Sequence, residues 1–194
     1  YIEQGRGPPD HYRGIQMRLV RIPKERVGAL IGTDGETKEF IEKRTGVKMR
    51  IDTEGEVDIE DNPEDPLAAL KVMDLVKAIG RGFSPHRAFR LLDEDEYLEV
   101  IELGDFVGKK GDQLARVRAR LIGSNGKTRR IIEDLTGANM SIYGSTVSLV
   151  GNSIQLPIAK TAVEMILRGS EHATVYRYLE RSRATLRVAE MGFI

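Results

Sequence analysis

Apolar and polar residues alternate over residues 15–23, IQMRLVRIP, and the run stops at a proline, which predicts a β-strand. ERVGALIG then reads as a short helix closed by Gly32. Residues 36–44 set Phe40 and Ile41 on one helical face, and Gly46 stops that helix. VKMRID and EVDIED are two short strands joined at Glu54-Gly55. The apolar stripe from Leu67 to Ile79 predicts a longer helix, and Ser84-Pro85 supplies the N-cap and first turn of one more. The order then returns. A strand is expected over 97–103, followed by a longer and more charged helical stretch and a helix over 127–135. Strands near 139–143 and 146–150, a helix near 154–167 and a terminal helix from about 171 complete the chain.

This recurrence is a sequence repeat. At an offset of 91, Leu30-Ile31-Gly32 meets Leu121-Ile122-Gly123, Gly35 meets Gly126, Thr37 meets Thr128, and Thr45-Gly46 meets Thr136-Gly137. At an offset of 87, RGFSPHRAFRLL parallels RGSEHATVYRYL. The chain therefore divides into an N-terminal extension, 1–14, a first unit, 15–92, and a second, 93–194, which begins with the acidic DEDE joint. Each unit is short, so the two are expected to pack on each other.

Both units carry Gly-x-x-Gly between two helices. Glycines allow a sharp turn and let a sugar-phosphate backbone approach without Cβ clashes, while the following helix aims unpaired N–H groups and its positive dipole end at that backbone. Leu-Ile before the loop and Thr-Gly after the helix make the pattern specific. LIGSNGKTRRIIEDLTGANMSI resembles the core of a KH domain. That resemblance implies an α+β fold of two tandem type I KH-like domains (βααββα). Each would be a three-stranded antiparallel sheet with helices on one face, plus an additional helix after it. It also implies single-stranded nucleic acid held by the loop, about four nucleotides at a time.

Charge separates the copies. Lys plus Arg and Asp plus Glu both number 30, so the chain has no net charge. Within it, GTDGETKE (32–39) carries −2 and GSNGKTRR (123–130) carries +3. From 109 to 130, eight basic residues face one acid, Asp112, a net of +7 that leaves −7 for the remainder. The second loop is thus the expected RNA contact: Gly123, Ser124, Asn125, Gly126, Lys127, Arg129 and Arg130. Arg116, Arg118 and Arg120 extend it, and Lys109 and Lys110 form a secondary contact. By motif position Leu121, Ile122, Ile132 and Ile142 would line the base groove. The first loop, Gly32, Thr33, Asp34 and Gly35, is expected to hold RNA weakly or not at all. Where the family usually has an apolar residue, three after the last glycine, stand Lys38 and Arg129, which favours backbone binding over base reading. Aromatic residues are 6% of the chain, so stacking platforms are not expected.

Several patterns point elsewhere and fail. GSNGKT ends like a Walker motif, but the glycine needed five residues before Gly126 is Leu121. VGKKG is a further Gly-x-x-Gly that lacks the Thr-Gly downstream. His11, His86 and His172 have no metal-ligand spacing, and cysteine is absent, so neither a metal nor another cofactor is expected. No carboxylate pair is set apart for catalysis. No apolar run spans a membrane and no signal-peptide core is present, which fits a cytoplasmic monomer; the start at Tyr1 suggests a trimmed N-terminal piece. Arg177, Arg181, Arg183 and Arg187 lie at roughly helical spacing and either widen the basic surface or meet a protein.

Taken together, the two units, the RGF…AFRLL segment and the basic stretch before the second loop resemble archaeal relatives of the partner-of-Nob family of small-subunit assembly factors. That resemblance implies a non-enzymatic protein bound to small-subunit ribosomal RNA near its 3′ end. Its partners would be ribosome assembly proteins such as the maturation nuclease. The competing reading is a protein-interaction scaffold using the acidic first copy.

Overall fold

The computed structural model describes residues 16–192; the expected N-terminal extension, Ile15 and His11 lie outside them. The first unit runs β1 (Met17–Arg21), α1 (Val27–Ile31), α2 (Glu36–Thr45), β2 (Met49–Ile51), β3 (Glu56–Glu60), α3 (Ala68–Gly80) and α4 (Pro85–Ala88), with a 3₁₀ turn over Phe89–Leu92. The second runs β4 (Tyr97–Glu102), α5 (Gly104–Val107), α6 (Gly111–Ile122), α7 (Lys127–Thr136), β5 (Asn139–Tyr143), β6 (Thr146–Gly151), α8 (Gln155–Leu167) and α9 (His172–Glu190). The charged stretch before the second loop is thus two helices, broken at Gly108. Ser84 does precede α4 and Pro85 starts it, but the Ser84 hydroxyl makes no capping bond.

Each sheet has three antiparallel strands, ordered β1-β3-β2 and β4-β6-β5. One face of each meets its own helices. Val20, Val57 and Ile59 are buried against α3 and Leu30, while Ile101, Val147 and Leu149 are buried with Leu121, Val163 and Ile166. Burying an aliphatic side chain of this kind contributes about 1.5–3 kcal/mol.

The other faces differ. By register, Met17, Leu19, Arg50, Asp58 and Glu60 share the outer face of the first sheet; Met17 and Leu19 are exposed there. Matching positions of the second sheet hold Leu98, Ser141, Ser148 and Val150, and the end of the first unit covers most of that face. Val150 belongs to the first unit's core. Ser141 Oγ donates to the Arg81 carbonyl at 2.8 Å, and Arg81 reaches Thr146 Oγ1 at 3.4 Å. The Tyr143 hydroxyl donates to Glu25 at 2.5 Å, a bond that holds the Glu25 carboxyl below its usual range and raises the phenol. Lys71 Nζ donates to the carbonyls of Asp93, Glu94 and Glu96 at 2.8, 3.1 and 2.9 Å, which pins the acidic joint. The buried positions of this face, Ser141, Thr146, Ser148 and Val150, are uncharged.

Gly82 and Gly169 hold the same place in the two units, with φ of 96° and 95°. A Cβ on Gly82 would lie 2.7 Å from Ser141 Oγ and 3.1 Å from the Tyr143 ring, whereas one on Gly169 meets nothing within 4 Å. Gly169→Ala should therefore lower stability by the left-handed cost alone, about 1–2 kcal/mol. Gly82→Ala should lower it further by forcing the units apart, and denaturant unfolding of the two variants tests the difference.

Candidate nucleic-acid interface

The two loops have the same backbone. Gly32 and Gly123 sit at φ 79°, ψ 173° and φ 74°, ψ 173°; Gly35 and Gly126 are left-handed; and between them Asp34 and Asn125 take φ 52° and 53°. Asp and Asn are among the few non-glycine residues that tolerate this region. The first glycine is required by crowding, since a Cβ on Gly123 would fall 2.3 Å from Thr128 Oγ1 and one on Gly32 the same distance from Thr37 Oγ1. The second faces open space. In each copy the bend presents its outer side and the start of a ten-residue helix, α2 or α7, to solvent.

Their side chains diverge. Around the first loop, Lys38 pairs with Glu42 at 2.5 Å and Lys43 with Glu39 at 2.6 Å, so these two lysines are neutralised within α2; Lys43 also lowers the Glu39 pKa. Around the second, Ser124, Asn125, Lys127 and Arg130 are exposed, as are Arg116 and Arg118 on α6, and Arg129 is half-buried. Among the described residues none of these five basic side chains makes an ion pair or hydrogen bond that would neutralise it. The second loop therefore presents free positive charge on a backbone that accepts close approach.

Three expected contacts sit elsewhere. Leu121 and Ile132 are fully buried in the second core and are not open to a base, while Ile122 is exposed and Ile142 half-buried. Arg120 turns away from the loop and donates to the carbonyls of Ile166, at 2.7 Å, and Ser170, capping α8. Arg26 does the same in the first unit, at 2.8 Å to the Ile79 carbonyl and 2.9 Å to that of Phe83. Carbonyls left over at a helix end need such donors. Lys109 and Lys110 are exposed between α5 and α6. Gly108 repeats the first-glycine angles, at φ 81°, ψ 176°, but Lys110 is extended, so this turn does not complete the bend of the other two.

Sequence reasoning missed the aromatic support behind the second loop. Tyr176 and Thr128 share a hydroxyl hydrogen bond of 2.9 Å, His172 donates to the Arg120 carbonyl at 2.9 Å, and the two rings stack at 6.0 Å. The offset of 87 places Tyr176 over Phe89, which packs on Phe40 of α2 at 4.5 Å, so an aromatic residue backs the loop helix in both units. Arg177, Arg181, Arg183 and Arg187 are exposed along α9. Among the described residues there is no metal-ligating cluster, and no helix is long and apolar enough to cross a membrane.

Comparisons with known proteins agree with this geometry. Residues 97–184 match the eukaryotic type KH-domain (KH-domain type I), and residues 16–71 match the KH domain. A KH domain-containing protein of Methanocaldococcus jannaschii is 48% identical over 175 residues, 89% of this chain and 77% of that protein. The pre-rRNA-processing protein pno1 of Schizosaccharomyces pombe is 30% identical over 87% of this chain and 72% of its own length. Among solved structures, a chain of the a/eIF2alpha–aDim2p–rRNA complex from Pyrococcus horikoshii superposes with a TM-score of 0.85. It is 54% identical, with 91% of this chain and 100% of that chain covered.

Arg120 and Arg116 separate structure from binding. Arg120→Ala should cost about 2 kcal/mol, for charged donors lost to two carbonyls, and change RNA affinity little. Arg116→Ala should leave stability alone and weaken RNA binding. Thermal unfolding and RNA titration of both variants check this.

Proposed function

The chain belongs to the PNO1/Dim2 family of KH-domain proteins, RNA-binding proteins of pre-rRNA processing rather than enzymes, and on that premise we propose how it engages its RNA. It binds single-stranded small-subunit ribosomal RNA near the 3′ end, and the second Gly-x-x-Gly loop carries the main contact. The observation that carries this is one backbone with two charges. Both loops offer the same bend and helix start, but only the second surrounds it with unneutralised cations. Phosphates lie against Gly123–Gly126 and the first turn of α7, within reach of Lys127 and Arg130. Arg116, Arg118 and the Lys109-Lys110 turn prolong the basic track along α6. Ile122 and Ile142 offer apolar contact to bases. The first loop meets RNA more weakly because Asp34 and Glu36 oppose phosphate.

A second reading concerns protein partners. The Pyrococcus complex joins an a/eIF2alpha and rRNA in one assembly, so this chain is expected to meet such a factor, and assembly proteins such as the maturation nuclease, while it holds RNA. Residues 93–105, DEDEYLEVIELGD, hold seven carboxylates and no cation, opposite in charge to the RNA track.

Changing Ser124 and Asn125 to Asp sets two carboxylates where phosphate lies. Each costs about 1 kcal/mol even at water-like screening and 4 Å, so affinity for an oligonucleotide copying the rRNA 3′ end should fall at least about tenfold. The same change at Thr33, beside the native Asp34, should have a smaller effect. The slope of log affinity against log salt should be about −0.7 per phosphate held. Equal losses from both loops, or affinity indifferent to salt, would refute the assignment.

A further inference from the structure

Helix α7, which carries the basic loop at its start, is gripped at its other end by the first unit. Arg87 of α4 forms an ion pair with Glu133, and the same Glu133 oxygen accepts the Met140 N–H at 2.8 Å. Arg90 donates to the carbonyl of Gly137, the left-handed residue that ends α7, at 2.6 Å. It also reaches Asn139 Oδ1 at 3.4 Å and Gln155 Oε1, while its Nε is held by Glu96 at 2.7 Å. The cations thus meet the carbonyl end of the helix, where positive charge is favoured. The Arg87–Glu133 pair is largely shielded, with side-chain exposures of 29% and 15%. Among the described residues the matching helix end of the first unit is partnered from within that unit: Asn62 Nδ2 donates to the Thr45 carbonyl at 3.2 Å, and Glu42, the counterpart of Glu133, pairs with Lys38.

The brace therefore falls on the helix whose loop is basic. A ten-residue helix is about 15 Å long and stiff, so fixing its last turn fixes the direction in which its first turn presents N–H groups. Tyr176 holds that first turn through Thr128. We propose that Arg87 and Arg90 are positioning residues for RNA binding. They touch no RNA; they set the pose of α7, so the first unit raises the affinity of the second loop through the seam, whatever its own loop holds. This inference rests on the second loop being the main RNA contact.

The test uses the full chain and a labelled RNA oligonucleotide copying the 3′ end of small-subunit ribosomal RNA. Arg90→Ala and Arg87→Glu should each weaken binding about three- to thirtyfold, the range of couplings carried through packed networks. The salt slope should not change, because no phosphate contact is removed. Adding Glu133→Arg to Arg87→Glu should recover the part of the loss owed to the ion pair, since arginine cannot accept the Met140 N–H. Arg18→Ala breaks a 2.8 Å ion pair with Asp61 inside the first unit, away from the seam; it should lower the unfolding temperature and spare affinity. Wild-type affinity in a folded Arg90→Ala variant overturns the proposal, as does a shallower salt slope, which would mean that Arg90 meets phosphate directly. If Arg90→Ala fails to fold, the Arg87/Glu133 exchange decides, and an unrecovered double variant counts against the brace. Failure of the underlying reading is distinct: the Ser124/Asn125→Asp change would then leave affinity intact in the wild-type background.

Discussion

A sheet with helices on one side leaves its other face to water unless something covers it, and covering a face requires that its residues carry no charge needing solvent. The second sheet of this chain meets that requirement. Ser141, Ser148 and Val150 are buried where the first sheet has Arg50, Asp58 and Glu60. Much of the molecule depends on that difference. It lets the Arg81–Leu92 segment lie across the second sheet, and it brings Arg87 and Arg90 to the end of α7. The contact carries small local strains as well. Among the described residues Ser148 Oγ is the one buried side-chain polar atom without a partner, and it faces this seam. A buried hydroxyl without a partner costs about 1–3 kcal/mol, which the packing around it has to exceed.

Charge is divided on a larger scale by the same logic. A net of +7 over residues 109–130 would repel itself if folded inward, and α6 and α7 instead turn most of it outward beside the bend. The compensating net charge of −7 lies in residues 93–105, the joint, β4 and the start of α5, while the first unit, 15–92, is neutral overall. RNA carries about one charge per nucleotide, so positive charge gathered in one stretch attracts it more strongly than the chain's zero net charge would suggest. Exposed ion pairs contribute little to stability; the arrangement matters for where partners bind.

Much of this was legible in the sequence because it is local. Alternation, Gly-stops and the repeat locate every strand and the principal helices to within a residue or two, and the bend between α6 and α7 follows from two glycines at fixed spacing. What was not legible depends on direction. Leu121 and Ile132 stand at motif positions beside the groove, but only the rotation of α6 and α7 against the sheet decides that they face inward. A charge count includes Arg120 with its neighbours, yet the α8 carbonyls claim it. Its counterpart Arg26 sits one helical turn away in the aligned repeat, where the comparison at 91 does not pair them. A signal for the seam did exist. TVSLVG lies over EVDIED, and the exchange of Asp58 and Glu60 for Ser148 and Val150 marks a face withdrawn from water.

Duplication explains how one bend can serve two ends. The left-handed glycines, the crowded threonine and the aromatic support are common to both copies, so the geometry of the bend does not depend on the charge around it. Charge could then change freely at the exposed positions, because Asp34 and Asn125 fit the same φ and neither Glu36 nor Lys127 is buried. Divergence at the seam is more constrained. A covered face must lose its charges while the opposite surface gains donors for the helix end it meets, so the two changes have to be matched. The loop can thus be retuned one residue at a time, whereas the brace behind it can be altered only in pairs such as Arg87 with Glu133.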